Sequence, residues 1–331
     1  MLYDLTPIVL IIQYTLWDRS EGVRHDGMPG GYTLWDHSEE VRHVGMPGGY
    51  YIMNDRRNVV LITDEEFQRI SVYMKSNYGI DLSQKKVIIN GRLENYLRKS
   101  GYGNCTEYLN ALQSDKTGTL EKMLVNLLTT NHTYFMREFE HFDFFRQEVL
   151  PWLRKKQSKT KDLRIWCGAA STGEEPYMIA MVLDDFFGLE RDKWDKKILA
   201  TDVSTKVLQQ AVAGVYSADQ LKNLPEKWKR HFFKPVAGGT QFMVTNELKS
   251  EVLFRKFNLM DSFPFKRKMH TIFLRNVMIY FDEKTKRELL QKVYNALEPG
   301  GYLFIGRTET LDRSSVPFQI IRPSIFRKGN D

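Results

Sequence analysis

Apolar positions change their period along this chain, and the changes mark its parts. From Thr63 to about Leu128 they recur at the three-to-four-residue spacing of helices that bury one face. Thr63-Asp-Glu-Glu66 has the form of a capping box, and Phe67, Ile70 and Met74 follow on one stripe. Three further helices are predicted over 85–100, 105–113 and 119–128, giving a small all-α domain. From Leu163 onward, short apolar runs alternate with amphipathic stretches, the pattern of a parallel sheet flanked by helices. Strands are predicted near 163–167, 197–201, 269–275 and 301–306, and helices near 176–187, 205–213 and 284–297. Between Gly214 and Phe257 the alternation breaks. There Phe242-Met-Val-Thr245 and Val252-Leu-Phe-Arg-Lys-Phe257 read as antiparallel strands, entered through a turn at Ala237-Gly-Gly-Thr240, so a small β insertion is expected over about 214–257. Phe318-Gln-Ile-Ile321 and Ser324-Ile-Phe-Arg327 read as a closing hairpin. The expected fold is α/β. A Rossmann-like sheet domain over 163–331 carries the antiparallel β subdomain, and a linker and helix over 131–162 join it to the all-α domain over 53–130.

The first 52 residues stand outside this pattern. Residues 14–32 recur as residues 32–50, matching at 16 of 19 positions. Two copies are too few for a solenoid, and the Gly-Met-Pro-Gly-Gly punctuation builds no core. The segment reads as a disordered or artefactual extension, with Met53 as a natural start. Its Trp17, His25, Trp35 and His43 match no metal-ligand spacing.

Charge sharpens the picture. Residues 1–52 hold three Arg against seven Asp and Glu, a net of −4, while the remainder holds 45 bases against 34 acids, a net of +11. A body that basic expects an acidic partner. Lys85, Lys86, Arg92, Arg98 and Lys99 fall in one short stretch, read either as a solvated helix face or as a docking surface for an acidic helix. Two cysteines, Cys105 and Cys167, form no disulfide framework, which fits a reducing cytoplasm, and no apolar run approaches the length needed to span a bilayer.

The chemistry concentrates where the predicted strands end. Arg164-Ile-Trp-Cys-Gly168 leads into a small-residue turn and then into Glu174-Glu175-Pro176, which opens a helix. The turn is Gly168-x-x-x-x-Gly173 rather than GxGxxG, and two carboxylates there suit a phosphate poorly. An uncharged nucleoside carrying a cationic group fits better, and S-adenosylmethionine is such a molecule. The next strand ends on Asp202, which reads as a ribose-diol acceptor or as a helix N-cap. Asn258-Leu259 follow the insertion. Asn258 reads either as a reader of the adenine edge or as a turn former. Leu274-Arg-Asn-Val-Met-Ile-Tyr280 ends another apolar strand in polar residues, placing Asn276 and Tyr280 at a site. Upstream, Asn131, Thr133 and Arg137 interleave with aromatic residues. They read as a capped helix start or as ligand-facing groups, with Arg137 suited to hold a carboxylate.

The ordered strings TTNxTxFxRE (from Thr129), STGEEPYxIA (from Ser171), Ala200-Thr-Asp202 and RNVMIYF (from Arg275) resemble the chemotaxis receptor methyltransferases of the CheR family. The likeness runs from about Thr63 to Lys328. It implies an enzyme that transfers methyl from S-adenosylmethionine to glutamate carboxylates on the cytoplasmic helices of chemoreceptors. The products are glutamate methyl esters and S-adenosylhomocysteine. Asn131, Thr133, Arg137, Glu175, Asp202, Asn258, Leu259, Asn276 and Val277 match the family's cofactor contacts, and Tyr280 a tyrosine near its reacting centre; Arg137 and Tyr280 are expected to orient the attacking oxygen or the cofactor's methionine carboxylate. Some members bind a receptor C-terminal tether peptide at the β subdomain. No metal, no nucleic acid and no membrane insertion are expected from the motifs and run lengths, and the lack of a sustained heptad leaves a monomer as the default. Two departures stand out: Ala170 and His132 occupy positions where the family commonly has other residues. Two rivals remain: a nucleic-acid methyltransferase, encouraged by the pI of about 9.1, and a regulatory module that binds the cofactor without turnover.

Overall fold

The computed structural model describes residues 62–311 and 316–330; the duplicated segment and its Trp and His residues lie outside them. The chain begins with four helices: α1 (Asp64–Tyr78), α2 (Lys86–Ser100), α3 (Cys105–Ser114) and α4 (Thr119–Leu128). The predicted capping box is present, with the Thr63 hydroxyl accepting from the Glu66 amide and the Glu66 carboxylate accepting from the Thr63 amide. Phe67, Ile70 and Met74 of α1 meet Ile89, Leu93 and Leu97 of α2, together with Tyr108, Leu112, Leu124 and Leu128, in one core. Helix α5 (Glu140–Phe144), a π turn (Phe145–Val149) and α6 (Leu150–Lys156) then lead to the sheet domain.

That domain runs β1 (Ile165–Cys167), α7 (Glu174–Phe187), β2 (Ile198–Asp202), α8 (Thr205–Ala213), β3 (Val215–Ser217), α9 (Ala218–Leu221), α10 (Glu226–Phe232), β4 (Phe233–Val236), β5 (Gln241–Val244), α11 (Asn246–Ser250), β6 (Val252–Lys256), β7 (Met269–Leu274), α12 (Glu283–Ala296), β8 (Leu297–Ile305), β9 (Phe318–Arg322) and β10 (Ile325–Lys328). Seven strands form one sheet in the order β6-β2-β1-β7-β8-β10-β9. The first five are parallel, and β10 runs antiparallel to both β8 and β9, so the predicted closing hairpin exists and also completes the sheet. Each residue of β7 is buried, as expected of a strand covered on both faces. On one face Phe142, Phe273 and Phe304 stack, with the last two rings 4.5 Å apart. On the other, Trp166 packs edge-on to Phe257, Phe263 and Phe265 and donates its ring N–H to Thr201.

Two expectations need correction. The β insertion is a three-stranded antiparallel sheet, β3-β5-β4, that closes at Val244. Val252–Lys256 is no part of it: this strand pairs parallel with β2 as the edge of the main sheet. Strand β4 escaped sequence reading because Pro235 interrupts it, and proline is tolerated there only because β4 is an edge.

The helical domain is sewn to the sheet domain at the carboxyl ends of the strands. Gly79 ends α1 in the left-handed region (φ 70°) and lets the chain turn back. Ile80 then bridges to Phe281, the Asp81 amide donates to the Tyr280 carbonyl (2.8 Å), and Lys75 pairs with Asp282 (2.8 Å). The order reversal between β1 and β7 opens at that same edge, where doubly wound sheets place ligands.

Candidate functional site

The turn after β1 is shaped by close approach. A Cβ on Gly168 would stand 2.8 Å from Leu274 Cδ1, and one on Gly173 (φ 99°) 2.9 Å from Ala211 Cβ, so the backbone passes where no side chain fits. The two carboxylates that follow part company. Glu174 is buried, held by the Thr172 hydroxyl (2.6 Å), and burial pushes its carboxyl up. Glu175 lines the cleft and accepts from Arg275 Nη1 at 2.5 Å. Asp202 ends β2 almost buried, with one oxygen accepting from the Ser171 amide and the other from the Ser204 amide, both at 2.9 Å. Burial raises its carboxyl, and the amides oppose that rise. The N-cap of α8 is Ser204, not Asp202.

The segment 131–138 crosses the mouth of the cleft. The Ser171 hydroxyl donates to the Asn131 carbonyl (2.9 Å), and Arg137 donates to the His132 carbonyl (2.7 Å). Thr133 lines the cleft between them. Behind this segment lies a charge network that sequence reading missed. Arg275, 4 % exposed, donates to Glu175, to the Arg137 carbonyl (2.6 Å) and to Glu138 (3.2 Å). Burial alone would raise the Glu138 carboxyl, but Arg275 and the Asn276 amide outweigh it and hold it below the ordinary range. Ser171, Met136, Glu138 and Asn276 all sit at positive φ, so the rim stores backbone strain of roughly 1–3 kcal/mol per residue.

The loop after β7 brings Asn276, Val277 and Tyr280 to the same cleft. The Tyr280 hydroxyl is 3.5 Å from the Thr130 carbonyl, and Lys85 Nζ lies 3.9 Å from the centre of its ring. Burial lowers the Lys85 ammonium and raises the Tyr280 phenol. Lys85 is therefore a group of the cleft rather than of an outer docking face. The other bases of that stretch are also dispersed. Lys86 pairs with Asp64, Arg92 holds the Leu127 and Thr129 carbonyls (3.2 Å each), and Arg98 and Lys99 are exposed.

All ten residues singled out from the sequence line one cleft: Asn131, Thr133, Arg137, Glu175, Asp202, Asn258, Leu259, Asn276, Val277 and Tyr280. It encloses about 1360 Å³ of non-protein space, open mouth included. Asn258 lines the cleft and also forms a turn. Its side-chain oxygen accepts from the Met260 amide (3.0 Å), and its nitrogen donates to the Asn77 carbonyl (2.7 Å). These bonds use one of the two N–H donors and one of the two oxygen lone pairs, so a second N–H and a second lone pair remain for an adenine edge.

This donor set fits S-adenosylmethionine. Asp202 keeps a further lone pair on each oxygen for a diol, Glu175 offers a carboxylate for an ammonium, and Val203, Phe257, Leu259 and Val277 supply apolar walls for a base. Sequence comparison agrees. Residues 65–129 match the family description "CheR methyltransferase, all-alpha domain", and residues 131–326 match "CheR methyltransferase, SAM binding domain". The chain is 42% identical to a chemotaxis protein methyltransferase of Borreliella burgdorferi over 81% of this chain and 95% of that protein. It is 34% identical to chemotaxis protein methyltransferase 1 of Pseudomonas aeruginosa (78% and 95% covered) and to the chemotaxis protein methyltransferase of Escherichia coli (82% and 93%). With both domain descriptions matched in order and a strand-end cleft suited to the cofactor, the chain belongs to the CheR family of S-adenosylmethionine-dependent methyltransferases.

Proposed function

We propose that this protein methylates glutamate side chains on the cytoplasmic helices of chemoreceptors, forming methyl esters in chemotactic adaptation. The observation that carries the reading is how charge is sorted across the cleft. Carboxylates stand at the strand ends, Asp202 without a cation among its bonded partners in the described residues and Glu175 held by Arg275, and the cations Arg137 and Lys85 stand by Tyr280. The first set suits a sulfonium nucleoside and the second an incoming carboxylate. When bound, S-adenosylmethionine supplies an electrophilic methyl whose bond to sulfur breaks as its bond to the carboxylate oxygen forms.

The chain's residues have the remaining work. A glutamate carboxylate, with an ordinary pKa near ~4.3, is ionised at neutral pH, so it needs orientation rather than a general base. Arg137 and Tyr280 direct an oxygen of that carboxylate toward the reacting centre. Alignment of this kind is worth roughly 7–11 kcal/mol in well-oriented systems. Asn131, Thr133, Asn276 and Val277 line the wall that narrows water's access as substrate enters. For the receptor helix, α2 offers exposed Val87 and Ile88 with Arg98 and Lys99 further along. The β3-β5-β4 sheet, with its own open edges, is the candidate seat for a receptor C-terminal peptide.

Nucleic-acid methylation is the weaker reading, because the loop after β7 reads Arg275-Asn-Val-Met278 and lacks the Asn/Asp-Pro-Pro-aromatic turn of amino-methylating enzymes. The test is methyl transfer from labelled S-adenosylmethionine to chemoreceptor-containing membranes, scored as alkali-released methanol. Base-labile label on a receptor is the expected result. Cofactor binding with label on nucleic acid, or on no receptor, would overturn it.

A further inference from the structure

We propose that Glu309 is a positioning residue for this reaction, its buried carboxylate fixing the loop after β7 in the shape that carries Asn276, Val277 and Tyr280 into the cleft. The proposal rests on the reading that the cleft holds S-adenosylmethionine. Glu309 does not line the cleft itself; it follows β8 and is 7 % exposed. One carboxylate oxygen accepts from the Asn276 amide (2.8 Å) and the Gly306 amide (2.5 Å), and the other accepts from the Met278 amide (2.7 Å). The Asn276 and Met278 amides lie past the end of β7 and at the first residue of a short 3-10 turn (Met278–Tyr280), where backbone donors have no regular partner. Glu309 thus caps this loop from 31 to 33 residues away.

A second carboxylate works on Asn276 at the same time. Glu138 accepts from its side-chain nitrogen at 3.2 Å, so Asn276 is held at φ 57° between two acids from separate segments. Gly306 closes the remaining space, since a Cβ there would fall 2.3 Å from Asn276 Nδ2 and 2.9 Å from its backbone nitrogen. Three N–H donors converging on one carboxylate select an ionised acid. A glutamine in its place offers one acceptor oxygen and turns an NH2 group against a donor. Burial pushes the Glu309 carboxyl up, and the converging amides work against that.

The test uses the full chain as wild type, Glu309→Gln, Glu309→Asp and Gly306→Ala. It reads thermal midpoint, S-adenosylhomocysteine affinity by calorimetry, and kcat and KM on receptor membranes. The positioning role predicts that Glu309→Gln, assayed well below its midpoint, binds the product about 10-fold or more weakly and loses kcat, with KM for receptor unchanged. Glu309→Asp, which keeps the charge, should recover part of that affinity. Gly306→Ala should produce the same cofactor-selective loss with no change of charge. A Glu309→Gln protein with a lowered midpoint but wild-type affinity and kcat would make Glu309 structural only and overturn the proposal. If that variant does not fold, wild-type affinity in folded Gly306→Ala overturns it instead. Wild-type chain that fails to bind S-adenosylhomocysteine would remove the reading of the cleft, and this proposal with it.

Discussion

Arg275 shows what one side chain can decide here. Its guanidinium joins the loop after β7 to α7 through Glu175, and to the rim segment through Glu138 and the Arg137 carbonyl. Removing a buried cation that neutralises two carboxylates leaves both uncompensated, a loss of about 3–5 kcal/mol. Arg275→Met should therefore lower the unfolding free energy by that order in urea, and a change within measurement error would contradict this account of the network. Arg275→Lys keeps the charge but loses the planar fork, so it should fold and bind S-adenosylhomocysteine more weakly. Most of the cleft was legible because its residues sit in contiguous strings: Asn131, Thr133 and Arg137 in one, Asn276, Val277 and Tyr280 in another. Arg275 stood inside such a string and was still passed over, and Glu138, Lys85 and Glu309 were missed as site residues. Their roles depend on partners far away in sequence, 100 residues for Arg275 with Glu175 and 138 for Glu138 with Asn276. No local pattern encodes such a pairing.

At the scale of elements, periodicity found the helices and the central strands, but it named no strand's partner. Val252–Lys256 alternates buried Val252 with exposed Leu253 and ends in exposed Arg255 and Lys256, a pattern that fits a hairpin strand equally well. It also fits an edge strand of a parallel sheet guarded by charge, which is what the structure holds. The connection between domains was likewise silent, although its hinge is a glycine. At Gly79, φ is 70°, and a Cβ would lie 2.6 Å from Met260 Sδ and 2.9 Å from Thr285 Cγ2. Gly79→Ala combines left-handed strain with two contacts that must shift, so a loss of roughly 1–3 kcal/mol is expected in chemical denaturation. Because the next residues bridge to Phe281 and Tyr280, the same variant should also weaken S-adenosylhomocysteine binding. Unchanged stability would show that the two domains do not need this turn.

Across the whole molecule, the two ends of the sheet carry different chemistry. The carboxyl ends hold the cleft. At the opposite end, where β1, β7 and β8 begin, His270 is fully buried against Arg164, Gln157 and Glu298. Its Nδ1 accepts from the Arg164 backbone amide at 3.0 Å, so a proton there would face a donor. Burial, with Arg164 and the nearby Lys156 and Arg267, lowers its pKa to about 4, against the pull of Glu298. His141, also buried, is lowered to about 4 by burial and by Arg275, against the pull of Glu138. Well above pH ~6.5 both imidazoles are neutral in the folded and the unfolded chain, and no stability depends on their protonation. As pH falls from ~6.5 towards ~4, the unfolded chain takes up protons that the folded chain refuses, so stability declines through that window by as much as about 3 kcal/mol for each histidine. Glu298, held below the ordinary range, adds to the loss at the acid end as it takes its own proton. The carboxyls of Glu174, Asp202 and Glu309, raised by burial, take protons more readily in the folded chain and oppose that loss, so the histidine share is read by comparing the slope of the melting midpoint from about pH 6.5 to about pH 4.5 between wild type and a histidine variant. His270→Gln should lose less stability than wild type as pH falls through the window, with the His141 share still present. Parallel slopes in wild type and His270→Gln would mean that this imidazole takes its proton as readily in the folded state as in water.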